Sequence, residues 1–194
     1  MNTIKRIGIF GGSFNPIHCG HVNIASWIVE QNFVDEVWLM ISPHNPLKDA
    51  SHLMPEDQRM TLAQLALKNI KGVKASDFEW SLPRPSYTWA TLCALREAYP
   101  NTEFYLIIGG DNWVNFDKWA NTDLILASTQ ILVYPRPGCD IDTTKLPQQV
   151  KILTGAPQFP YSSTQVRQAL QSGHIPNDML PQAVAEQLSL ELRP

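Results

Sequence analysis

The sequence predicts an α/β fold in which a mostly parallel, doubly wound sheet carries helices on both faces. Segments with the composition of buried strands alternate almost throughout with segments whose apolar residues recur at helical spacing. The strand-like runs are short and apolar, as in residues 36–42 (EVWLMIS), which is typical of parallel strands that are covered on both faces. Polar residues that suit a ligand site directly follow several of these strands, at the carboxyl ends where ligands bind in such sheets. A Rossmann-like architecture is therefore expected.

Each element has its own signal in the sequence. Strands are predicted where apolar and β-branched residues run together, over residues 4–10, 36–42, 73–80, 104–108, 131–134 and 151–154. Helices are predicted where apolar residues recur at helical spacing, over residues 22–33, 56–70, 92–99, 124–127, 162–171 and 180–190. Pro55 suits the start of the second helix, and Pro100 and Gly173 end the third and the fifth.

Composition limits the classes of protein that the chain can belong to. Its 194 residues are 44% hydrophobic and 17% charged, which predicts a globular protein with a single domain over residues 1–194. The helical part at about residues 162–194 is expected to pack on that same domain. A net charge of −3 argues against a general nucleic-acid surface, so an anion site must be local. Three widely spaced cysteines and no apolar run of about 20 residues predict a cytoplasmic protein without a membrane partner.

The most informative stretch is residues 9–21 (IFGGSFNPIHCGH), which joins the first strand to the first helix. Gly11 and Gly12 are expected to let the backbone turn sharply and approach a ligand without a Cβ in the way. His18 and His21 then arrive where free N–H groups of a helix N-terminus attract anions, so a phosphate chain is the simplest ligand. A zinc site is the alternative for two such histidines, but no third ligand follows at suitable spacing.

This string closely resembles the GG[ST]F[DN]PxHxGH signature of the nucleotidyltransferase superfamily with the HIGH-type motif. A second stretch, residues 161–167 (YSSTQVR), resembles the motif that closes the ATP site in that superfamily. Serines before a helix are often only N-caps. Three hydroxyls followed by Arg167 exceed what a cap requires, and Arg167 lies near the positive end of the helix, where a phosphate would sit.

Three further strings point to one branch of the superfamily. They are residues 85–92 (PSYTWATL), residues 107–111 (IIGGD) with Trp119 eight residues later, and residues 136–138 (RPG). They resemble bacterial nicotinate-nucleotide adenylyltransferases over essentially the whole chain. The resemblance implies that ATP and nicotinate mononucleotide are joined into the dinucleotide precursor of NAD with release of pyrophosphate. It also implies Mg²⁺ as cofactor, held mainly by substrate phosphates rather than by a protein metal site.

The resemblance also implies a role for individual residues. Catalysis would rest on His18, His21 and Arg167. The ATP site would comprise Gly11, Gly12, Ser13, Phe14, His18, His21, Lys48, Ser162, Ser163 and Arg167. The other substrate would meet Tyr87, Thr88, Gly109, Asp111, Trp119 and Arg136. Within this set, the backbone of Tyr87 and Thr88 would bind the pyridine carboxylate, Trp119 would stack on the ring, and Asp111 would hold a ribose hydroxyl.

Two departures from the family pattern affect these expectations. Residues 45–48 (NPLK) stand where the family commonly has PPHK, so only Lys48 carries over, with His44 as an alternative donor. Ala120 stands where a tyrosine usually follows the stacking tryptophan, which bears on the preference for nicotinate over nicotinamide.

Two other functions stay open at this point. They are a sister enzyme such as phosphopantetheine adenylyltransferase and a non-catalytic nucleotide sensor on the same fold. The sequence also leaves open whether the chain forms a homo-oligomer.

Overall fold

The computed structural model describes residues 4–43 and 53–191. Within these residues the chain forms six strands, which are β1 (Lys5–Gly12), β2 (Glu36–Ile41), β3 (Val73–Ser76), β4 (Thr102–Gly109), β5 (Gln130–Tyr134) and β6 (Val150–Ile152). The α-helices of the same residues are α1 (Cys19–Glu30), α2 (Glu56–Leu67), α3 (Thr88–Ala98), α4 (Gly110–Val114), α5 (Thr122–Ser128), α6 (Ser163–Gln171) and α7 (Gln182–Glu191). Short 3₁₀ helices span Phe78–Ser81, Phe116–Lys118 and Thr143–Lys145.

The six strands form one sheet in the order β3-β2-β1-β4-β5-β6, and every pair is parallel. The chain builds the sheet outward from β1 to β3, returns to the other side of β1, and continues outward from β4 to β6. The predicted Rossmann-like, doubly wound fold is thus confirmed. The order reverses between β1 and β4, and ligands bind beyond the carboxyl ends of the strands at such a switch point.

Each face of the sheet carries its own apolar core. Alternate residues of a strand point to opposite faces, so Phe10 of β1 belongs to the cluster with residues of α1, α2, α6 and α7, whereas Ile9 belongs to the cluster with residues of α3 and α5. The first core includes Ile28 of α1, and Val184 of α7 lies in the same cluster. The second core includes Leu92 of α3. The last two helices therefore pack against the same face as the first two.

The third strand is shorter than predicted. The sequence pattern suggests a strand over residues 73–80, but β3 ends at Ser76 and the next residues form a 3₁₀ helix. The Ser76 hydroxyl accepts a hydrogen bond from the backbone N–H of Phe78, which ends the extended conformation. The Trp80 indole N–H then donates to the carbonyl of Ile41 at 2.8 Å. Trp80 fits the alternating pattern of a strand in the sequence, but in the structure it attaches this turn to β2. The change brings Glu79, inside the turn, to the carboxyl end of the sheet.

Candidate active site

The turn after β1 is made by Phe14 rather than by the two glycines. Gly11 and Gly12 remain extended as the last residues of β1, and neither has a positive φ. Phe14 instead adopts a left-handed conformation with φ of 43°, which is uncommon outside glycine and costs about 1–3 kcal/mol. The expected role of the glycines in the sharp turn is therefore wrong. A Cβ on Gly11 would meet nothing within 4 Å and would stand in open space, whereas a Cβ on Gly12 would lie 3.2 Å from the Phe14 ring.

The two histidines lie against each other at the start of α1. His18 is the N-cap residue, and its ring stacks on that of His21 with centroids 3.7 Å apart. The backbone N–H of His18 donates to Nδ1 of His21 at 3.3 Å. Because Nδ1 of His21 accepts this bond, the proton of a neutral His21 imidazole belongs on Nε2. A neutral His21 is therefore the Nε2–H tautomer.

The environment of His18 keeps its imidazole neutral. The side chain is only 3% exposed, and its Nδ1 has no hydrogen-bond partner among the described residues. Burial lowers the pKa of His18 to about 4, and the nearby positive charge of Arg136 acts in the same direction. At neutral pH His18 therefore offers a hydrogen bond to an anion but no formal charge.

The two serines at the start of α6 connect this helix to the loop after β1. Ser162 is the N-cap, and its hydroxyl accepts from the backbone N–H of Gln165. The Ser163 hydroxyl donates to the carbonyl of Pro16 at 3.0 Å. The capping role that the sequence leaves open is thus real for Ser162. The same bonds aim the N-terminus of α6, which attracts anions, at the space beside the histidines.

Arg167 makes a second connection between α6 and the loop after β1. Its Nη1 donates to the carbonyl of Asn15 at 2.9 Å, and its Nη2 donates to the Thr164 hydroxyl at 3.2 Å. A guanidinium has five N–H donors, so these two bonds leave capacity for a ligand. Arg167 is half-buried and combines an anchoring contact with a position on the wall of a cavity.

That cavity, which we call the histidine cavity, has a volume of about 560 Å³. Its walls come from the ends of β1, β4 and β5, the start of α1 and the start of α6. The residues that line it include Gly11, Gly12, Ser13, Phe14, His18, His21, Asn112, Asp111, Arg136, Ser162, Ser163 and Arg167. All predicted ATP-site residues except Lys48 therefore surround one space. Lys48 lies outside the described residues, as does His44.

A second cavity, the tryptophan cavity, has a volume of about 340 Å³ and lies on the other side of the β1 end. Tyr87 and Thr88 line it at the start of α3, where the first backbone N–H groups of the helix lack helical partners. Trp119 forms part of the wall and packs against Phe116, with ring centroids 5.5 Å apart. Three predicted residues of the pyridine site thus share one space.

The other three predicted residues for the second substrate lie elsewhere. Asp111 and Arg136 line the histidine cavity, where Arg136 Nε lies 3.6 Å from a carboxylate oxygen of Asp111. The guanidinium also donates to the Tyr134 hydroxyl at 3.0 Å. Gly109 ends β4 below them, and a Cβ there would come within 2.4 Å of the Asp111 carboxylate. The structure therefore groups Asp111 and Arg136 with the histidines rather than with Tyr87, and Gly109 makes room for them.

The two cavities meet at the switch point of the sheet. Both are lined by Gly11 and Gly12 at the end of β1, by Ile107 and Ile108 in β4, and by Asn112 just beyond it. A ligand in one cavity can therefore approach a ligand in the other across the open space at Gly11.

Glu79 is a site residue that the sequence analysis missed. It is buried, lines the tryptophan cavity, and accepts hydrogen bonds from the hydroxyls of Ser42 (2.9 Å), Thr91 (2.8 Å) and Ser86 (3.3 Å). Glu79 therefore fixes three segments around that cavity. No sequence signal distinguishes it, because a glutamate in a polar strand-like run looks like a solvated residue.

Arg59 is the second residue missed. It is completely buried within α2 and donates only to backbone carbonyls. Its sequence position carries a usable signal, since residues 59, 62, 63 and 66 form one helical face and the other three are apolar. An arginine on a buried face needs buried acceptors.

The described residues contain no group of three or more His, Cys, Asp or Glu side chains that could hold a metal ion. All three cysteines are free thiols. None of the helices in residues 4–43 and 53–191 combines the length and the hydrophobicity that a membrane span requires.

Comparisons with known proteins agree with this site. Residues 9–169 match the cytidylyltransferase-like family. A Bacteroides fragilis protein named "Probable nicotinate-nucleotide adenylyltransferase" is 48% identical over 168 residues, covering 87% of this chain and 83% of the relative. A protein of the same name from Flavobacterium johnsoniae is 41% identical and covers 93% and 94% of the two chains.

A solved structure supports the fold. The Plasmodium falciparum nicotinic acid mononucleotide adenylyltransferase, complexed with NaAD, superposes with a TM-score of 0.80 at 21% identity, over 96% of this chain and 95% of the other. The cytidylyltransferase-like match and these curated relatives establish that the chain is a nucleotidyltransferase and belongs to the nicotinate-nucleotide adenylyltransferase family.

Proposed function

We propose that this chain transfers AMP from ATP to nicotinate mononucleotide, giving nicotinate adenine dinucleotide and pyrophosphate in NAD biosynthesis. The observation that carries the proposal is the pair of cavities that meet at Gly11 and Gly12. ATP in the histidine cavity and the mononucleotide in the tryptophan cavity would bring their phosphates together at this junction. The chemistry needs only that contact, because the mononucleotide phosphate is itself the nucleophile.

In the proposed reaction a phosphate oxygen of nicotinate mononucleotide attacks the α-phosphorus of ATP. The new P–O bond forms as the bond between the α-phosphorus and the bridging oxygen breaks, and pyrophosphate leaves with that electron pair. No side chain becomes covalently attached. Catalysis then rests on alignment of the two phosphates and on stabilisation of the charge that develops on oxygen.

Hydrogen-bond donors would meet the phosphates in the histidine cavity. His18 and His21 would donate from the start of α1, and Arg167 would contribute its remaining N–H groups from α6. The N-termini of α1 and α6 add partial positive charge at the same place. Arg136 supplies a formal positive charge on the third wall, next to Asp111. Lys48 is a further proposed phosphate ligand by sequence alone.

Recognition of the pyridine would use the tryptophan cavity. A carboxylate only accepts hydrogen bonds, so the unpaired backbone N–H groups at the start of α3 suit nicotinate. The amide of nicotinamide would turn its NH₂ group toward one of these donors and lose about 1–3 kcal/mol. Trp119 offers a flat apolar wall for the ring, which contributes affinity for either pyridine. Lys118, whose side chain also lines this cavity, adds positive charge that favours the acid.

Mg²⁺ is a proposed cofactor. Triphosphate oxygens would coordinate most of the ion, because Mg²⁺ usually keeps several waters and binds through substrate phosphates. When bound, the ion would neutralise charge on the departing pyrophosphate.

We further propose a cytoplasmic location, supported by the three free thiols.

A pyrophosphate-release assay tests the function directly. Purified protein with ATP and Mg²⁺ is offered nicotinate mononucleotide, nicotinamide mononucleotide or 4′-phosphopantetheine in turn. We expect release with the nicotinate compound at the highest kcat/KM. Release with phosphopantetheine alone would identify the sister enzyme. ATP binding without release for any acceptor would identify a sensor.

A further inference from the structure

We propose that Arg59 is a positioning residue: it holds the backbone of the loop after β1 in its conformation without touching either substrate. The proposal rests on the proposed function, because it assigns the loop after β1 to the phosphates of ATP. It assigns a further part of the catalytic machinery to a side chain that lies outside both cavities.

The contacts of Arg59 are unusual for a buried cation. The side chain is 0% exposed, and its guanidinium bonds to four backbone carbonyls instead of a carboxylate. The acceptors, with their distances, are Met54 (3.0 Å), Ser13 (2.7 Å), Ser42 (2.8 Å) and Pro43 (3.1 Å). One residue of α2 therefore ties the loop after β1 to the segment after β2.

The bond to the Ser13 carbonyl fixes the orientation of the peptide group that joins Ser13 to Phe14. In a trans peptide the C=O and the N–H point in opposite directions. A Ser13 carbonyl held by Arg59 therefore directs the Phe14 N–H away from Arg59. No bond from this N–H to another described residue is formed, and Phe14 lines the histidine cavity. We infer that the N–H is aimed at the phosphates.

The conformation of Phe14 explains why such a tether is required. A φ of 43° persists only where the surroundings over-determine it. The Phe14 ring is buried, and it packs edge-on against His21 at 4.9 Å between centroids. Arg59 fixes the preceding carbonyl, and the ring fixes the side chain. A shift of this peptide would therefore move both the N–H donor and the packing of a catalytic histidine.

The bonds to Ser42 and Pro43 extend the effect to the other cavity. The Ser42 carbonyl accepts from Arg59, while its hydroxyl donates to Glu79 and its N–H donates to the Gly12 carbonyl at 3.0 Å. Ser42 and Glu79 both line the tryptophan cavity. Arg59 is thus bonded to a residue on the wall of each cavity, namely Ser13 and Ser42.

A lysine cannot replace this arrangement. Arginine presents five donors in a rigid plane, whereas lysine carries three donors on a single nitrogen that cannot reach four separated carbonyls in the same way. Arg59→Lys therefore removes the positioning while it keeps a positive charge. Arg96→Lys is the matched control, because Arg96 also donates to a backbone carbonyl (Ser128, 2.9 Å) but lies at the amino ends of β4 and β5.

The test compares both lysine variants with the parent protein at a temperature well below their melting points. Calorimetry with a non-hydrolysable ATP analogue measures binding without the mononucleotide, and steady-state pyrophosphate release measures turnover per folded molecule. For Arg59→Lys we expect kcat to fall about 10²-fold and analogue binding to weaken, because small misplacements of reacting groups cost that much. Arg96→Lys should match the parent in both measurements.

Chemical rescue separates positioning from a purely structural role. In Arg59→Ala, ethylguanidinium at low millimolar concentration should restore kcat at least fivefold, whereas ethylammonium should not. If Arg59→Ala fails to fold, Arg59→Lys alone decides. A folded Arg59→Lys protein with kcat and analogue binding within twofold of the parent would overturn the proposal, even if its melting point fell. A parent protein without turnover would instead refute the proposed function, while analogue binding would still test Arg59.

Discussion

The burial of His18 predicts a measurable loss of stability in mild acid. The perturbation is a change from pH 7 to pH 5, which lies below the ordinary pKa of histidine, about 6.5. In the folded protein, burial lowers the pKa of His18 to about 4, so the ring stays neutral at both pH values. In the unfolded chain the same ring takes up a proton between them.

The sign and size follow from proton linkage. Between pH 6.5 and pH 4 the unfolded state binds more protons at this position, so the free energy of unfolding falls as the pH falls. The contribution is fully present above the unfolded pKa and is lost progressively toward the folded pKa of about 4. With these two pKa values the loss at pH 5 is about 2 kcal/mol.

Urea denaturation at pH 7 and pH 5, followed by circular dichroism, measures this loss. Because other groups also titrate, the decisive quantity is the difference between the parent and His18→Gln, which lacks the titrating ring. The variant should lose about 2 kcal/mol less over this interval. Equal losses in the parent and His18→Gln would refute the argument that burial depresses the pKa of His18.

Three further predictions concern the cavities. His21→Ala should lower kcat about 10²–10³-fold with unchanged circular dichroism, because it removes one transition-state donor; a near-normal kcat would remove His21 from catalysis, and His174→Ala is the control. Arg167→Lys should weaken binding of an ATP analogue in calorimetry while the KM for nicotinate mononucleotide changes little; equal weakening of both would leave Arg167 only its anchoring bond to Asn15. The kcat/KM for nicotinate mononucleotide should exceed that for the nicotinamide compound about 10-fold or more, and Trp119→Ala should raise KM for both. Equal kcat/KM for the two mononucleotides would contradict recognition of the carboxylate by the α3 N-terminus. Unchanged KM values in Trp119→Ala would show that Trp119 does not stack on the pyridine ring.

The fold was predictable because its parallel strands are buried on both faces. Continuous apolar runs such as residues 36–42 are typical of strands covered on both faces, and their alternation with helical segments favours a doubly wound sheet. The boundary after β3 was not predictable in this way. Trp80 continues the alternating sequence pattern of a strand. Its indole N–H, however, donates to the carbonyl of Ile41, 39 positions away in the sequence, and that contact decides the local conformation. Tertiary contacts override local pattern at such places.

The site was predictable where its residues fall in recognisable strings at strand ends and helix N-termini. His18, His21 and Arg167 were found because imidazole and guanidinium groups at helix N-termini suit phosphate, and the structure brings them to one cavity. Arg59 and Glu79 were missed because their partners are backbone carbonyls and scattered hydroxyls, which leave no spacing in the sequence. The positive φ fell on Phe14 rather than on a glycine for a related reason. Packing of the ring and the bond to Ser13, rather than intrinsic preference, hold that conformation.

The same features explain how a chain of net charge −3 can bind two polyanions. The helices α1, α3 and α6 all begin at the site, so their N-termini add partial positive charge and free N–H groups to the charge of Arg136 and Arg167. His18 contributes a donor but no charge, since its pKa is held at about 4. Arg59 is buried beneath the loop and meets no solvent. Because dipoles and neutral donors act only at close range, they favour a phosphate that is correctly seated and add little attraction for anions elsewhere on the surface. Under the proposed function, these features would hold the nucleotide phosphates at the junction of the two cavities, where the transfer of AMP requires them.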